Sequence, residues 1–312
     1  NQACEDVSNL LLDGGSADTL GTGVYSGITV NQINQNYFFY PSTADSGNFK
    51  ITYTFTSLEG CVDSLFDTIR VDTLPKVSIL TLPGVCEDGD SLVLDTFGLP
   101  FGGTFTGSAV FFDTLSSIFY FNPDSATPGA SNLIFYSYTE TATGCSNQNN
   151  TLGTLNLKPN LNFSNLPDFC ISDTAFQITQ YSPQGGYFKG IGIDSTQNNW
   201  FFVPDSSGVG NNIQTKYIYT NSQGCTDSTS ISTVVNALPA ISFTIPSNSD
   251  TLCFTSSNLN VPLNTGTPFG GVYSGKNVSF NNFNRANVAP GVDTVFYTYT
   301  DPNTGCVNTI SD

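Results

Sequence analysis

Apolar and polar residues alternate with a period of two in four well-separated stretches. They are Ile51-Thr52-Tyr53-Thr54-Phe55-Thr56, Ile134-Phe135-Tyr136-Ser137-Tyr138-Thr139, Tyr217-Ile218-Tyr219-Thr220 and Val295-Phe296-Tyr297-Thr298-Tyr299-Thr300. Alternation rich in β-branched and aromatic residues puts one set of side chains on each face of a strand. Each stretch ends in a turn closing on Gly-Cys, at Gly60, Gly144, Gly224 and Gly305. Glycine there suits a backbone position at positive φ before the next strand opens. Upstream lies a glycine-aromatic signature: Gly23-Val24-Tyr25-Ser26-Gly27, Gly103-Thr104-Phe105-Thr106-Gly107, Gly186-Tyr187-Phe188-Lys189-Gly190 and Gly271-Val272-Tyr273-Ser274-Gly275. Between the two sits an aromatic block, Phe38-Phe39-Tyr40-Pro41, Phe119-Tyr120-Phe121-Asn122-Pro123 and Trp200-Phe201-Phe202-Val203-Pro204. The fourth copy is looser there, with Phe280, Phe283 and no proline. No stretch carries sustained 3.6-residue periodicity with helix caps.

Cysteines date the copies along the chain. Cys4, Cys86, Cys170 and Cys253 recur at intervals of 82, 84 and 83 residues, and Cys61, Cys145, Cys225 and Cys306 follow them by 53 to 59. A period that long means a string of small domains, not a short-repeat solenoid. About 83 residues with six or seven short strands is an immunoglobulin-sized sandwich. The expected fold is all-β: four immunoglobulin-like β-sandwich domains over residues 1–73, 74–157, 158–237 and 238–312. Short proline-marked joints, Leu74-Pro75, Lys158-Pro159 and Leu238-Pro239, predict a semi-rigid rod. The first and last copies are shorter than the others, so the chain reads as part of a longer polypeptide.

Composition narrows the setting. Small domains gain from covalent staples, and eight regularly placed cysteines point to disulfides and an extracellular location. Zinc is a poor alternative, because there is no histidine and no C-x-x-C. A net charge of −17 with eight basic residues excludes a nucleic-acid backbone binder and disfavours anionic lipid. No apolar run is long enough for membrane insertion of this segment. With histidine and methionine absent, the usual general base is missing, and the chain reads as non-catalytic with no cofactor. The densest acidic cluster is Glu87-Asp88-Gly89-Asp90, echoed at Glu5-Asp6. It lacks the spaced calcium-loop pattern and reads as a solvated turn rather than a cation site. Trp200, the single tryptophan, reads as core, with sugar stacking the minor alternative.

The acidic residues are unusual in kind. Twenty-one are aspartate and four glutamate; fifteen aspartates precede serine or threonine, and twelve of those continue with Ala, Ile, Leu, Val or Thr. Turn and strand-opening hydrogen bonds explain part of this. They do not explain the third position.

The ordered set Leu-Pro…Cys, Gly-Gly-x-aromatic-x-Gly, aromatic-x-Pro, Tyr-x-Tyr-Thr, Gly-Cys resembles the tandem immunoglobulin-like or PKD-like repeats of large Bacteroidota surface proteins. Those are exported by the type IX system and include gliding adhesins. The resemblance implies a cell-surface adhesin and makes the Asp-Ser/Thr-aliphatic tripeptides O-glycosylation acceptors, with Thr19, Thr68, Thr73, Thr114, Thr251 and Thr294 as the sites. The turn reading and the acceptor reading stand side by side. Three Asn-x-Ser/Thr sequons, at Asn149, Asn162 and Asn277, read as incidental.

Two disulfide registers are open. Intra-repeat pairing joins Cys4 to Cys61, Cys86 to Cys145, Cys170 to Cys225 and Cys253 to Cys306, and is favoured because every repeat carries a matched pair. If strand count places the two cysteines at opposite ends, the pairs become Cys4 to Cys145, Cys86 to Cys225 and Cys170 to Cys306. Function reads as a structural and adhesive extracellular array, a stalk, filament or hook. The alternatives are a glycan- or protein-binding module, centred on the divergent Asn277 to Asn287 stretch, and the spacer of a secreted enzyme. Expected partners are other chains, self-associating into a multi-chain fibre, and a surface glycan or protein.

Overall fold

In the computed structural model the described residues are 1–128, 132–197, 199–245, 260–286 and 288–312. The chain is all-β, 51% strand and 3% helix, and it divides into two compact units, Asn1–Lys158 and Pro159–Asp312. Each unit holds two copies of the sequence repeat, here called repeats 1 to 4 in chain order.

Repeat 1 sets out the plan. One sheet orders Gln2–Cys4, Val62–Asp72, Gly47–Ser57 and Gly21–Ser26; the other orders Leu10–Leu12, Asn36–Phe39 and Val30–Ile33. Repeat 3 repeats both sheets, with Phe169–Cys170, Thr226–Asn236, Gly210–Thr220 and Tyr187–Gly190 in the first. The alternating stretches form the central strands, so one face is buried and the other meets water. Their inward residues, Ile51, Ile134, Tyr136, Tyr217, Val295 and Tyr297, belong to the cores.

The two aromatic signatures are cross-strand partners. Tyr25 lies opposite Tyr53, Phe105 opposite Tyr136, Phe188 opposite Tyr217 and Tyr273 opposite Tyr297. Ring centroids are 4.8, 4.5, 4.7 and 4.7 Å apart, tilted in each case. Offset tilted rings satisfy the aromatic quadrupoles, and such a pair is worth about 0.5–1.5 kcal/mol beyond area burial. The glycine before the aromatic is required by close approach: a Cβ at Gly103 would sit 2.6 Å from the Tyr136 ring. With no side chain in the way, the Gly103 amide donates to the Tyr136 hydroxyl at 2.8 Å, and that hydroxyl donates to the Pro100 carbonyl. Gly186 with Tyr217 and Pro183, and Gly271 with Tyr297 and Pro268, repeat the arrangement.

The aromatic block ends its strand by burying one ring: Phe39, Phe121, Phe202 and Phe283 are all core residues. In the first three repeats the following proline starts a single helical turn, Pro41–Thr43, Pro123–Ser125 and Pro204–Ser207. Proline is pre-shaped for that first position. Trp200 packs partly buried on Phe188, at 5.7 Å edge-on, which is the core reading.

Candidate functional site: the stapled joint

The Gly-Cys turns are built alike. Gly60, Gly144, Gly224 and Gly305 have φ of 87°, 75°, 86° and 73°. In repeats 2 and 4 the glycine amide donates to the carbonyl of the residue four back, Gly144 to Glu140 at 2.7 Å and Gly305 to Asp301 at 2.8 Å. These turns present a cysteine at the start of the last strand of the repeat.

The first cysteine sits elsewhere. It ends a short strand that runs parallel to the last strand and meets its far end: Cys4 lies opposite Asp72, Cys86 opposite Asn156 and Cys170 opposite Asn236. The second cysteine immediately precedes that last strand, as Cys61 precedes Val62–Asp72. Eleven residue steps of strand at about 3.3 Å each separate the two by about 36 Å. A disulfide needs Cα atoms within about 7 Å. In repeats 1 to 3 the two cysteines of a repeat are therefore too far apart to bond.

The favoured register is corrected accordingly. Cys4 bonds Cys145, with Cα atoms 5.6 Å apart, and Cys170 bonds Cys306, at 5.5 Å. Cys86 and Cys225 are each disulfide-bonded as well. Each measured bridge ties the first cysteine of one repeat to the second cysteine of the next. Cys145, Cys225 and Cys306 are buried, whereas Cys61 is exposed and free. The expectation that all eight cysteines are oxidised fails at Cys61, because its register partner is none of the other described cysteines. Cys253 and Thr251 lie outside the described residues.

Polar contacts reinforce the joint between repeats 1 and 2. Gln2 Nε2 donates to the Thr143 carbonyl at 2.9 Å, beside the disulfide. Glu5 Oε1 accepts from the Leu74 amide at 3.0 Å, holding the linker against the strand that carries Cys4. Asn147 Nδ2 donates to the Pro75 carbonyl at 3.0 Å, and Asn149 Nδ2 to the Val77 carbonyl at 3.2 Å. The segment entering repeat 2 thus lies along its last strand. Asn308 does the same in repeat 4, donating to the Pro239 carbonyl at 2.9 Å. Proline leaves its carbonyl free to accept while offering no amide of its own.

The acidic cluster belongs to this machinery. Glu87 Oε1 accepts from the Lys158 amide at 3.3 Å, matching Glu5 at the joint before, and the Lys158 ammonium lies 3.7 Å from Asp88. Among the described residues no three His, Cys, Asp or Glu side chains converge on a point where a metal ion would fit. Sequence reasoning saw the Glu5 and Glu87 echo but read it as a solvated turn. The signal was glutamate directly after the first cysteine. Asn147 and Asn308 went unread, although both stand two residues after the second cysteine.

Thr19, Thr68, Thr73, Thr114 and Thr294 are all exposed. Their aspartates also make local bonds. Asp67 accepts from the Thr68 amide at 2.7 Å, and Asp113 accepts from the Leu115 amide at 3.0 Å and from the Ser116 hydroxyl. The Ser116 hydroxyl holds the Asp113 carboxyl below the usual aspartate range.

No family model matches the chain, and no curated protein matches it. Among solved structures, an adhesin that helps an Antarctic bacterium bind ice is 12% identical, with 100% of this chain and 94% of that one covered and a TM-score of 0.38. The three-domain titin fragment I67–I69, in an E-to-A variant, is 11% identical, covering 70% and 88%, with a TM-score of 0.29. The human desmocollin-1 ectodomain is 9% identical over 99% and 78%, at 0.27. Nothing about ligand, partner or origin passes from these proteins to this chain.

Proposed function

We propose that the chain is a non-catalytic structural and adhesive segment of an extracellular bacterial surface protein, in which tandem immunoglobulin-like domains set length and carry contacts. The carrying observation is the bridge from one repeat to the next, Cys4 to Cys145 and again Cys170 to Cys306. A disulfide inside a domain serves that domain's stability; one between domains resists their separation under load. Glu5, Asn147 and Asn308 add bonds to the same joints. In this reading the domain limits fall near residues 74, 158 and 238, and the export route implied by the repeat motifs is the type IX system. Single-molecule pulling tests the reading. Native chains should show fewer and shorter extension steps than reduced chains, and identical force curves would remove it.

The parent works as a multi-chain fibre on the cell surface, its acidic chains brought together at high salt, where charge repulsion is screened. Light scattering at high salt with electron microscopy checks this: a monomer mass and no bundles would leave a solitary stalk. Exposed Thr19, Thr68, Thr73, Thr114 and Thr294, with Thr251, carry O-linked glycans in this reading. An intact mass equal to the bare polypeptide would end that part.

A glycan-binding role for repeat 4 rests on a cleft of about 440 Å³ lined by Asn264, Phe269, Phe280, Asn281 and Tyr297. Phe269 and Phe280 are more than nine-tenths exposed, as stacking platforms for sugar rings are. Glycan-array binding that is lost in Phe280→Ala tests it; no binding across the array removes it.

A further inference from the structure

Cys61 occupies the position that Cys145 and Cys306 occupy in repeats 2 and 4. Its turn is one residue tighter than those of repeats 2 and 4 and matches that of repeat 3: Gly60 has positive φ and its amide donates to the Ser57 carbonyl three back, as Gly224 does to Asn221. The Ser57 amide donates to the Cys61 carbonyl at 2.9 Å, and the Cys61 amide donates to the Ser57 hydroxyl at 3.2 Å. The sulfur also differs, since it is exposed and free while its counterparts Cys145 and Cys306 are buried and bonded. A second difference is independent of the thiol. On the last strand of repeat 2, Asn147 and Asn149 face the entering segment and bond its carbonyls. The same two positions in repeat 1 are Asp63 and Leu65, on the face that carries buried Ile69 and Val71 further along. Leu65 is 75% exposed there, with Leu58 and Val62 exposed beside the turn. Val62 and Leu65 point to opposite faces of the strand, and the Leu65 position is the one the entering segment covers in repeat 2, so Leu58 is the exposed apolar residue of the unbonded cysteine turn itself.

We infer that Cys61 and its turn, with exposed Leu58 beside it, are the acceptor half of a further inter-repeat staple, whose donor is the first-cysteine strand of another repeat of this kind. The donor's chemistry follows from the two staples already formed: a short extended strand with an apolar residue before the cysteine, like Ala3-Cys4 and Phe169-Cys170. The inference goes beyond the proposed function, because it states what the array joins to and through which atom.

The bond forms by thiol–disulfide exchange. The Cys61 thiol loses its proton, and the thiolate attacks the sulfur of an incoming cysteine held as a mixed disulfide with a small thiol. The new S–S bond joins the two repeats; the small thiolate leaves with the electron pair and takes up the proton. A low-molecular-weight disulfide, which made the mixed disulfide, is the oxidant.

Peptide mapping of the native secreted protein decides the matter. Free thiols are alkylated first, and the protein is then digested without reduction. The expected result is a Cys61 peptide joined to a second peptide whose cysteine follows an apolar strand, with less than about a tenth of Cys61 alkylated, as structural disulfides resist the thiol pool. A majority of alkylated Cys61, a Cys61–Cys61 pair, or Cys61 capped by a small thiol each overturns the inference, while the pulling experiment still judges the array reading by itself. A Cys61→Ser chain is expected to keep the Cys4–Cys145 and Cys170–Cys306 bridges and its melting temperature, losing only the cross-link. Loss of those bridges in the variant would also overturn it, since Cys61 would then serve repeat 1 from within.

Discussion

Repeats 1 and 3 share one plan yet differ in how much of themselves they bury. Repeat 3 gathers Phe163, Leu166, Phe169, Ile178, Phe188, Phe202, Tyr217 and Val235 in one core. Repeat 1 buries Phe39, Ile51, Ile69 and Val71. Part of the difference precedes the first cysteine. Phe163 and Leu166 come from the segment leading into repeat 3; Phe163 meets Phe188 edge-on at 5.0 Å, and the Pro167 carbonyl accepts from the buried Thr233 hydroxyl at 2.7 Å. Among the residues of repeat 1 before Cys4, Ala3 is buried. The rest lies at the counterparts of Phe169, Ile178, Phe188 and Tyr217, where repeat 1 has the small Ala3 and the half-buried Leu12, Tyr25 and Tyr53. Tyr217 is fully buried with its hydroxyl tied to Gly186 and Pro183, whereas Tyr53 is half-buried. The leading segment is thus a working part of a repeat, not a tether between repeats.

Removing a staple has the largest expected effect. In the chain-entropy model, closing a loop of 136 residues, the Cys170 to Cys306 separation, stabilises by about 5 kcal/mol. Cys170→Ser with Cys306→Ser should lower the melting of the unit holding repeats 3 and 4 while leaving repeats 1 and 2 unchanged; calorimetry that moves both transitions equally would break the comparison. Next comes Phe163→Ala, expected to cost about 3–5 kcal/mol, in line with large-to-small aromatic changes in cores. Chemical denaturation followed at Trp200 reads repeat 3 directly. No loss of midpoint would mean that the leading segment merely lies on the surface.

The tyrosine contrast is smaller. Tyr217→Phe leaves the Gly186 amide and Pro183 carbonyl without their partner and should cost about 1–3 kcal/mol. Tyr53→Phe in repeat 1 should stay within about 0.5 kcal/mol. Equal costs would show that both hydroxyls do the same task. The smallest effect is on pH. Burial pushes the Tyr136 and Tyr217 phenols above the ordinary tyrosine value. The folded state then holds the proton more tightly than the unfolded state. That stability is fully present below about pH 10, where unfolded tyrosine titrates, and fades as pH rises through the folded value. Melting of repeat 3 should drop at pH above about 10, and Tyr217→Phe should flatten the drop.

Much of the fold was legible because its signals are local. Alternation in Ile134–Thr139 marks a strand whatever surrounds it, and Gly144 before Cys145 marks a positive-φ turn by the steric freedom of glycine alone. The aromatic pairs could be seen as recurring motifs but not as partners, since Phe105 reaches Tyr136 only through sheet register. The joint was largely illegible. Glu5 bonds the amide of Leu74 across 69 residues, and nothing near Glu5 in sequence names that partner.

The sequence by itself determined that the chain is four copies of one β-unit and where its alternating strands and Gly-Cys turns fall, because period, branching and glycine act through neighbours. Only the tertiary structure decided how the cysteines pair. The strand carrying the first cysteine lies parallel to the last strand at its far end, so the two cysteines of repeat 1 stand about 36 Å apart. Covalent reach is a matter of distance in space. It gave the Cys4–Cys145 and Cys170–Cys306 staples between neighbouring repeats and left Cys61 open.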